Sequence, residues 1–165
     1  MRVLVQRVNQ ASVTVDDVAT ASIGSGLLLL VGITGADTKK DVQAMADKVA
    51  NLRIFEDDQG RMNLSALDRH SKGQPAGVLV VSQFTLYGDM RKGRRPSFVS
   101  AAPPDQAAPM IEMFAGYLGE HGLEVEKGVF GARMMVSLVN DGPVTIWIDS
   151  DELQRSSAEG KSGTR

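Results

Sequence analysis

Residues 134–149 read Met-Met-Val-Ser-Leu-Val-Asn-Asp-Gly-Pro-Val-Thr-Ile-Trp-Ile-Asp, and this segment is the most informative guide to the fold. Two apolar runs, Met134 to Val139 and Val144 to Ile148, have the pattern of buried strands. The Asp-Gly pair between them is typical of a hairpin turn, because these residues tolerate positive φ angles. Proline lacks an amide donor and is tolerated at the first residue of a strand. The segment therefore predicts a turn at Asp141-Gly142 and a strand that opens on Pro143.

Strand signals also dominate the first third of the chain. Arg2 to Val8 and Ala11 to Val15 alternate in polarity, and Thr20 to Ile23 follows. Leu27 to Ile33 is a continuous apolar run of the kind found in buried strands. Residues 24–26, Gly-Ser-Gly, predict a turn before that run.

Two segments have helical periodicity. The first is predicted from Lys39 to Leu52 and the second from about Asp105 to His121. Pro109 lies early in the second segment, so we expect its regular part to begin near that residue. The remaining segments are assigned as an irregular polar stretch (61–77), a buried strand (78–86), a long basic loop (88–104) and a strand (123–130).

These elements predict a single α+β domain in residues 1–150. Its mostly antiparallel sheets should curl into a barrel or sandwich, with two main helices packed against them. A chain of 165 residues suffices for one well-buried core. Residues 151–165 are rich in Ser, Gly and charge, and we expect a disordered tail there.

Composition excludes several classes of protein. The chain has no cysteine, which rules out disulfides, zinc–thiolate sites and thiol catalysis. No apolar run approaches the ~20 residues of a membrane span, and the N-terminus lacks the pattern of a secretory signal. We therefore expect a cytoplasmic protein with no membrane association. No metal-ligand spacing, Walker loop or dinucleotide motif is present, so we expect neither metal nor cofactor.

Charge is concentrated in one short segment. The formal net charge is −2, yet residues 90–95, Met-Arg-Lys-Gly-Arg-Arg, place four cations within five positions. Such a cluster is often only a solvated loop, but it also suits phosphate groups.

The segment 82–86, Ser-Gln-Phe-Thr-Leu, places three polar side chains at the end of an apolar run. A buried polar group without a partner costs about 1–3 kcal/mol. This strand end is therefore either exposed to solvent or lines a pocket, unless Ser82 and Thr85 simply satisfy neighbouring backbone groups. Thr85 as a nucleophile would need a base, and no His or Lys is placed by the sequence to serve it. Backbone amides acting as an oxyanion hole would need no nucleophile from the protein.

These motifs resemble those of the D-aminoacyl-tRNA deacylases, also called D-tyrosyl-tRNA deacylases. The resemblance runs from Met1 to about Asp149. It is carried by the opening strand (1–8, Met-Arg-Val-Leu-Val-Gln-Arg-Val), by 82–89 (Ser-Gln-Phe-Thr-Leu-Tyr-Gly-Asp) and by 140–145 (Asn-Asp-Gly-Pro-Val-Thr). Two signatures in the right order make the match specific.

The resemblance implies a homodimer that hydrolyses the ester between a D-amino acid, or glycine, and the 3′-terminal adenosine of tRNA. In the family the Gly-Pro pair, here Gly142-Pro143, is cis and reaches into the partner's site. Its two carbonyl oxygens there leave no room for an L-side chain. Arg7 corresponds to the residue that braces this pair.

The resemblance also implies roles in the pocket. Ser82, Gln83, Phe84 and Thr85 would form its floor, with the amides of Phe84 and Thr85 near the ester carbonyl. Because Thr85 lacks a base, the resemblance favours substrate-assisted hydrolysis, in which the 2′-hydroxyl of the tRNA ribose takes part. Phe130 and Met134 match positions that shape the adenosine and aminoacyl pocket.

Two other functions compete with this one. A relative that acts on small L-aminoacyl-tRNAs would have a trans Gly-Pro bond and a roomier pocket. A non-catalytic RNA-binding module would use the basic segment Arg91–Arg95, but it leaves the polar strand end and Gly142-Pro143 without a role.

Overall fold

The computed structural model describes residues 1–153 and the side chains within them, except that of Pro143; the predicted tail lies, from residue 154 onward, outside the described residues. The elements in chain order are β1 (Arg2–Val15), β2 (Val18–Ile23), β3 (Gly26–Gly32), α1 (Lys39–Ala50), β4 (Phe55–Glu56), β5 (Met62–Leu64), α2 (Ala66–Ser71), β6 (Gly77–Ser82), a 3-10 helix (Phe84–Tyr87), α3 (Pro104–Glu120), β7 (Val125–Lys127) and β8 (Met135–Asp149).

The long strand β1 organises the main sheet. β2 and β3 pair with one of its edges and β8 with the other, all antiparallel. β3 then pairs with β6, and β6 with β7, in parallel. The sheet curls so that it is nearly closed, and the predicted α+β barrel-like fold with two main helices is confirmed.

The predicted turn at Asp141-Gly142 is wrong. Both apolar runs belong to β8, and each pairs with β1 rather than with the other. Gln6 lies opposite Thr145 and Val8 opposite Asn140, so residues 141–144 face the single residue Arg7. An Asp-Gly pair can form a hairpin turn only when the strands on either side of it pair with each other. Here both runs pair instead with β1, which is 14 residues long. The Asp-Gly-Pro segment is therefore an excursion from a continuing strand.

The Gly-Ser-Gly segment 24–26 also does not reverse the chain. Ile23 pairs with Ala11 and Gly26 with Val8, so β2 and β3 run in the same direction along β1. The reversal occurs earlier, at Asp16-Asp17, whose φ angles of 48° and 62° suit a two-residue hairpin.

The helices fall close to their predicted positions. The N-cap of α1 is Thr38, which forms a capping box with Asp41. Helix α3 begins at Pro104, upstream of the start near Pro109 that we expected. The first turn of a helix needs no amide donors, so Pro104 is accommodated there and Pro109 follows within the helix.

Several segments contain more or less structure than their composition indicated. The stretch 61–77, predicted to be irregular, includes β5 and the capped helix α2. The predicted strand 123–130 is reduced to Val125–Lys127. The loop 88–104 contains a bridge between Asp89 and Ser97. Elements of two to six residues give too short a pattern for periodicity to reveal.

The core has two parts, one on each face of β3. Leu27, Leu29 and Val31 pack with α1 and α3 in the first core cluster. Leu28 and Leu30 lie on the opposite face of β3 and pack in the second core cluster. This explains the uninterrupted apolar run of β3. The first half of β8 was expected to be buried, but it is largely exposed: Met135 is 64%, Leu138 37% and Val139 47% accessible.

Candidate active site

A pocket of about 360 Å³ opens where β3 and β6 end beside the start of α3. The polar end of β6 supplies Ser82, and the following residues Gln83 and Phe84 continue the wall. Phe130 closes it from the loop after β7. Four of the predicted site residues therefore line one cavity, although they come from distant parts of the sequence.

Aromatic rings form the mouth of the pocket. Phe84 is 57% exposed and Phe98 36% exposed, and their ring centroids lie 5.1 Å apart at an interplanar angle of 76°. This edge-to-face geometry is favourable for aromatic pairs. Phe130 is also partly exposed. The mouth therefore offers flat apolar surfaces to a ring-shaped ligand such as a base.

The lining contains no titratable side chain. Its polar groups come from Ser82 and Gln83, and the other lining residues are apolar or glycine: Val31, Ile33, Phe84, Phe98, Ala101, Ala102, Pro104, Ala107, Ile111, Phe130 and Gly131. Within the described residues, the pocket wall therefore holds no general acid or base.

The 3-10 helix begins at the pocket wall with Phe84. Its hydrogen-bond ladder begins with the Leu86 N–H, which donates to the Gln83 carbonyl at 3.3 Å. The amides of Phe84 and Thr85 precede this bond and have no partner within the helix. The Gln83 N–H is used elsewhere, because it donates to the Val31 carbonyl at 2.7 Å. Two adjacent backbone donors where β6 ends are thus left outside the hydrogen-bond ladder of the helix.

The Thr85 hydroxyl is exposed and lies beside that wall without lining it. In the described part of the chain, its only hydrogen-bond partner is the Gln83 side-chain amide. An amide does not accept a proton from a hydroxyl at neutral pH. The geometry therefore gives this hydroxyl no base to activate it.

Arg2 holds the far end of the 3-10 helix. Its Nη1 donates to the Leu86 carbonyl at 2.9 Å, and its Nε to Asp149 at 2.9 Å. The guanidinium also lies 4.4 Å from the ring centroid of Tyr87 and 5.5 Å from that of Trp147. Burial raises the pKa of the Tyr87 phenol, so that group stays neutral. Arg2 thus joins one end of the β1–β8 pair, where it lies opposite Asp149, to the pocket helix.

Arg7 holds the excursion in β8. Its side chain is 6% exposed, and its Nε lies 3.3 Å from the Asp141 carbonyl and 3.0 Å from the Asp141 carboxylate. A second nitrogen of the guanidinium donates to the Ile54 carbonyl. The residue before Gly142 is therefore fixed by both its backbone and its side chain.

A second arginine lies near this brace. Arg69 of α2 stacks over the Phe55 ring at 4.8 Å, and its buried Nε has no hydrogen-bond partner among the described residues. Burial lowers the pKa of Arg69; Asp141 acts in the opposite direction, and Arg7 adds to the lowering.

The two signatures do not meet within one chain. Of the described residues, those that line the pocket include neither Arg7 nor Gly142, which lie at the β1–β8 pair. Within the described residues of one chain, the excursion therefore contributes nothing to the lining of this pocket.

Comparison with known proteins gives the family. The family model described as D-Tyr-tRNA(Tyr) deacylase matches residues 4–149. The chain belongs to the D-Tyr-tRNA(Tyr) deacylase family. It is 57% identical over 159 residues to the D-aminoacyl-tRNA deacylase of Thermomicrobium roseum, covering 96% of this chain and all of that protein. The enzyme of Brevibacillus brevis is 57% identical over 150 residues, or 91% of this chain and all of that one. The resemblance drawn from the motifs is confirmed, and the chain is an enzyme of the D-aminoacyl-tRNA deacylase class.

Solved structures agree with the deacylase fold. A protein described as "c-Myc DNA Unwinding Element Binding Protein" superimposes with a TM-score of 0.82 at 40% identity, covering 90% of this chain and 98% of that one. A "probable eukaryotic D-amino acid tRNA deacylase" gives a TM-score of 0.73 at 18% identity with the same coverage, which supports the fold alone.

Met134, another predicted site residue of this deacylase, also lies outside the pocket lining. Met134 is half-buried and packs against the second core cluster, beside Gly128. His70 and His121 are on the surface, and His121 contacts Asp47 of α1 at 2.8 Å. The described residues contain no cluster of metal-ligating side chains, and no helix among them is long and apolar enough to cross a membrane.

Two residues at or beside the pocket, Arg2 and Phe98, are not recognisable as site residues in the sequence. Arg2 appears in sequence only as the polar position of an alternating strand, and nothing local connects it with residue 86. Phe98 follows the basic segment. Its aromatic side chain next to Val99 is the only feature in the sequence that could have suggested a role for it. Both are identified by contacts between residues far apart in sequence.

Proposed function

We propose that this deacylase cleaves the ester between a D-amino acid, or glycine, and the 3′-terminal adenosine of tRNA, and that it acts as a homodimer in the cytoplasm. Each pocket would be completed by Gly142-Pro143 of the other subunit, whose carbonyl oxygens exclude an L-side chain. The observation that best supports this proposal is that the excursion braced by Arg7 does not line the pocket of its own chain.

The exposed surface of β8 supports a second subunit. Met135, Leu138 and Val139 are apolar and accessible, and β8 pairs with β1 along only one edge among the described residues. A long exposed strand edge with apolar side chains is usually covered in a stable protein. A dimer would cover this surface and could bring each excursion to the opposite pocket.

The chemistry we propose uses backbone donors and the substrate. The amides of Phe84 and Thr85 would stabilise the oxyanion formed from the ester carbonyl, an effect worth roughly 10²–10³ in rate per donor. The 2′-hydroxyl of the terminal ribose would assist the attacking water. The absence of titratable groups from the pocket lining favours this scheme over a Thr85 acyl-enzyme.

Substrate selectivity tests the filter. Purified protein should release D-tyrosine and glycine from tRNA and spare L-tyrosyl-tRNA. Pro143→Ala frees a backbone that proline restricts, so cleavage of L-tyrosyl-tRNA should appear while the fold persists. Equal cleavage of D- and L-tyrosyl-tRNA by the unaltered protein would refute chiral exclusion.

A mixed dimer tests whether the filter acts across subunits. One subunit carries Ala107→Trp, which fills the pocket from α3, and the other carries Pro143→Ala. The one open pocket then faces an unaltered excursion from its partner, so L-tyrosyl-tRNA should again be spared. Purification through two different tags removes the parent homodimers. Persistent L-cleavage by the mixed dimer would place the filter in the same subunit as the pocket and overturn the proposal.

A further inference from the structure

The basic segment forms a short hairpin at the pocket mouth. Asp89 and Ser97 exchange backbone hydrogen bonds of 2.8 and 2.9 Å, which close a loop of residues 90–96. Gly93 lies in this loop with φ of 75°, a left-handed conformation that favours glycine. We call residues 89–97 the basic hairpin.

Only some of its cations are free. Arg91 forms paired hydrogen bonds with the Asp89 carboxylate, at 2.9 Å from Nε and 2.6 Å from Nη2. The Arg91 side chain, and then its backbone amide, lower the pKa of Asp89 to about 2. Arg91 therefore contributes to closing the base of the hairpin. Lys92, Arg94 and Arg95 are exposed, and they have no ion pair or hydrogen-bond partner among residues 1–153.

The base of the hairpin adjoins the pocket. Phe98 follows it directly, lines the pocket and packs against Phe84. An extended chain covers at most ~3.3–3.6 Å per residue, so the cations lie within about 10–20 Å of the mouth. One strand of a nucleic-acid helix carries a phosphate about every 3.4 Å of axis. The hairpin is thus within reach of several phosphates next to a nucleotide held in the pocket.

We propose that Lys92, Arg94 and Arg95 bind the phosphodiester backbone of the tRNA acceptor strand immediately 5′ of the terminal adenosine. This proposal rests on the cleavage of aminoacyl-tRNA in the adjacent pocket. The three cations stand out in a chain of net charge −2, whose overall charge would otherwise repel RNA. The pocket would hold the ester and the terminal base, and the basic hairpin would hold the strand that leads to them.

The test compares two substrates of the same pocket. D-Tyrosyl-tRNA carries the acceptor strand, whereas the 2′(3′)-O-D-tyrosyl ester of adenosine carries no phosphate. A triple variant, K92Q/R94Q/R95Q, should lower kcat/KM for D-tyrosyl-tRNA by about 10- to 100-fold at 0.15 M salt through KM. It should cleave the adenosine ester as the unaltered protein does. The slope of log affinity for deacylated tRNA against log salt should become shallower by about 2, near 0.7 per single-strand phosphate.

Matched controls separate local from general charge effects. Lys40→Gln removes an exposed cation from α1, which contributes nothing to the pocket lining, and it should change neither KM nor the salt slope. Equal effects of the triple variant and Lys40→Gln would overturn the proposal. So would a parallel loss of activity on the adenosine ester, since the hairpin would then be supporting the pocket wall.

Two further outcomes are distinguishable. Single-stranded DNA that competes with tRNA as strongly as deacylated tRNA itself would overturn the assignment to the acceptor strand. Failure of the proposed filter would appear as L-tyrosyl-tRNA cleavage by the unaltered protein, a result independent of the hairpin. The D/L ratio should be the same in the triple variant, because the excursion is untouched.

Discussion

The Arg2 guanidinium donates to the Leu86 carbonyl at 2.9 Å, across 84 positions of sequence. This bond ties the start of the central strand β1 to the 3-10 helix that forms part of the pocket wall. Asp149 orients the same guanidinium, and the Tyr87 ring packs beneath it. The 3-10 helix that carries Phe84 and Thr85 is therefore held by a residue that does not line the pocket.

Arg2→Gln should lower kcat more than it raises KM. Removing a charge-assisted hydrogen bond costs about 1.5–3 kcal/mol, and each 1.4 kcal/mol corresponds to tenfold in rate. We therefore expect a loss of roughly 10- to 100-fold in single-turnover deacylation of D-tyrosyl-tRNA. Arg53→Gln is the matched control, because that side chain also binds a backbone carbonyl, Asn63 at 2.7 Å, away from the pocket. Similar losses in both variants, or a loss explained by a lower Tm, would contradict a positioning role for Arg2.

Thr85→Ala should keep activity within about threefold of the unaltered protein. The Thr85 hydroxyl has no base, and the backbone amide that we assign to oxyanion stabilisation is retained. Rapid-quench kinetics would test this, together with a search for a covalent aminoacyl-protein by mass spectrometry. Complete loss of cleavage with intact tRNA affinity and circular dichroism would restore the acyl-enzyme scheme.

Asp141→Asn should separate selectivity from stability. The Asp141 side chain is 40% exposed, and such a pair contributes only about 0–1 kcal/mol, so the free energy of unfolding should change little. The excursion would keep the contact between Arg7 and the Asp141 carbonyl but lose the ion pair with the Asp141 carboxylate. Cleavage of L-tyrosyl-tRNA should therefore rise relative to that of D-tyrosyl-tRNA. Urea unfolding and the D/L rate ratio measure the two effects. An unchanged ratio would show that the Asp141 carboxylate has no part in the filter.

Arg7→Lys should affect both properties. A lysine cannot reproduce the fork that contacts the Ile54 and Asp141 carbonyls, and buried carbonyls without partners cost about 1–3 kcal/mol each. We expect the free energy of unfolding to fall by about 2 kcal/mol, together with a lower D/L ratio. A stable Arg7→Lys protein with full selectivity would mean that Arg7 does not brace the excursion.

The pH dependence of catalysis should follow the substrate rather than the protein. The pocket lining has no titratable side chain, so the ratio of catalysed to uncatalysed rate constants should stay flat from about pH 6 to 8.5. The nearby Asp89 carboxylate has a lowered pKa of about 2. Its stabilising pair with Arg91 is fully present above the unfolded value near 3.8 and is lost only as pH falls through about 2. The hairpin therefore adds no step in this range, and a bell-shaped ratio would reveal a protein acid or base.

The sequence predicted helix α1 closely because its signals are local. Thr38 caps the helix, and Val42, Met45 and Val49 recur on the face that becomes buried. The Ser-Gln-Phe segment was likewise recognisable, since polar side chains at the end of an apolar strand need partners or a cavity. In the fold, Ser82, Gln83 and Phe84 do line a pocket with Phe130.

The pairing of strands that are distant in sequence was harder to predict. Asp141-Gly142 has the chemistry of a hairpin turn, and only the register of both flanking runs on β1 shows that the chain continues. Helix α2 was missed because six residues give too few repeats of a helical face. Arg2 and Phe98 act through contacts that have no counterpart in local sequence.

The sequence alone determined the α+β class, the main helices and the two family signatures, because alternation, capping and motif spacing are properties of neighbouring residues. Tertiary structure decided which strands pair, that the pocket takes its walls from β6, α3 and Phe130, and that Gly142 lies away from this pocket in its own chain. The alternation of apolar and polar residues indicates which face of a strand is buried. Which strand it pairs with depends on hydrogen bonds between segments that are distant in sequence. The two signatures were thus visible from the start, and only the fold shows that they are separated within one chain.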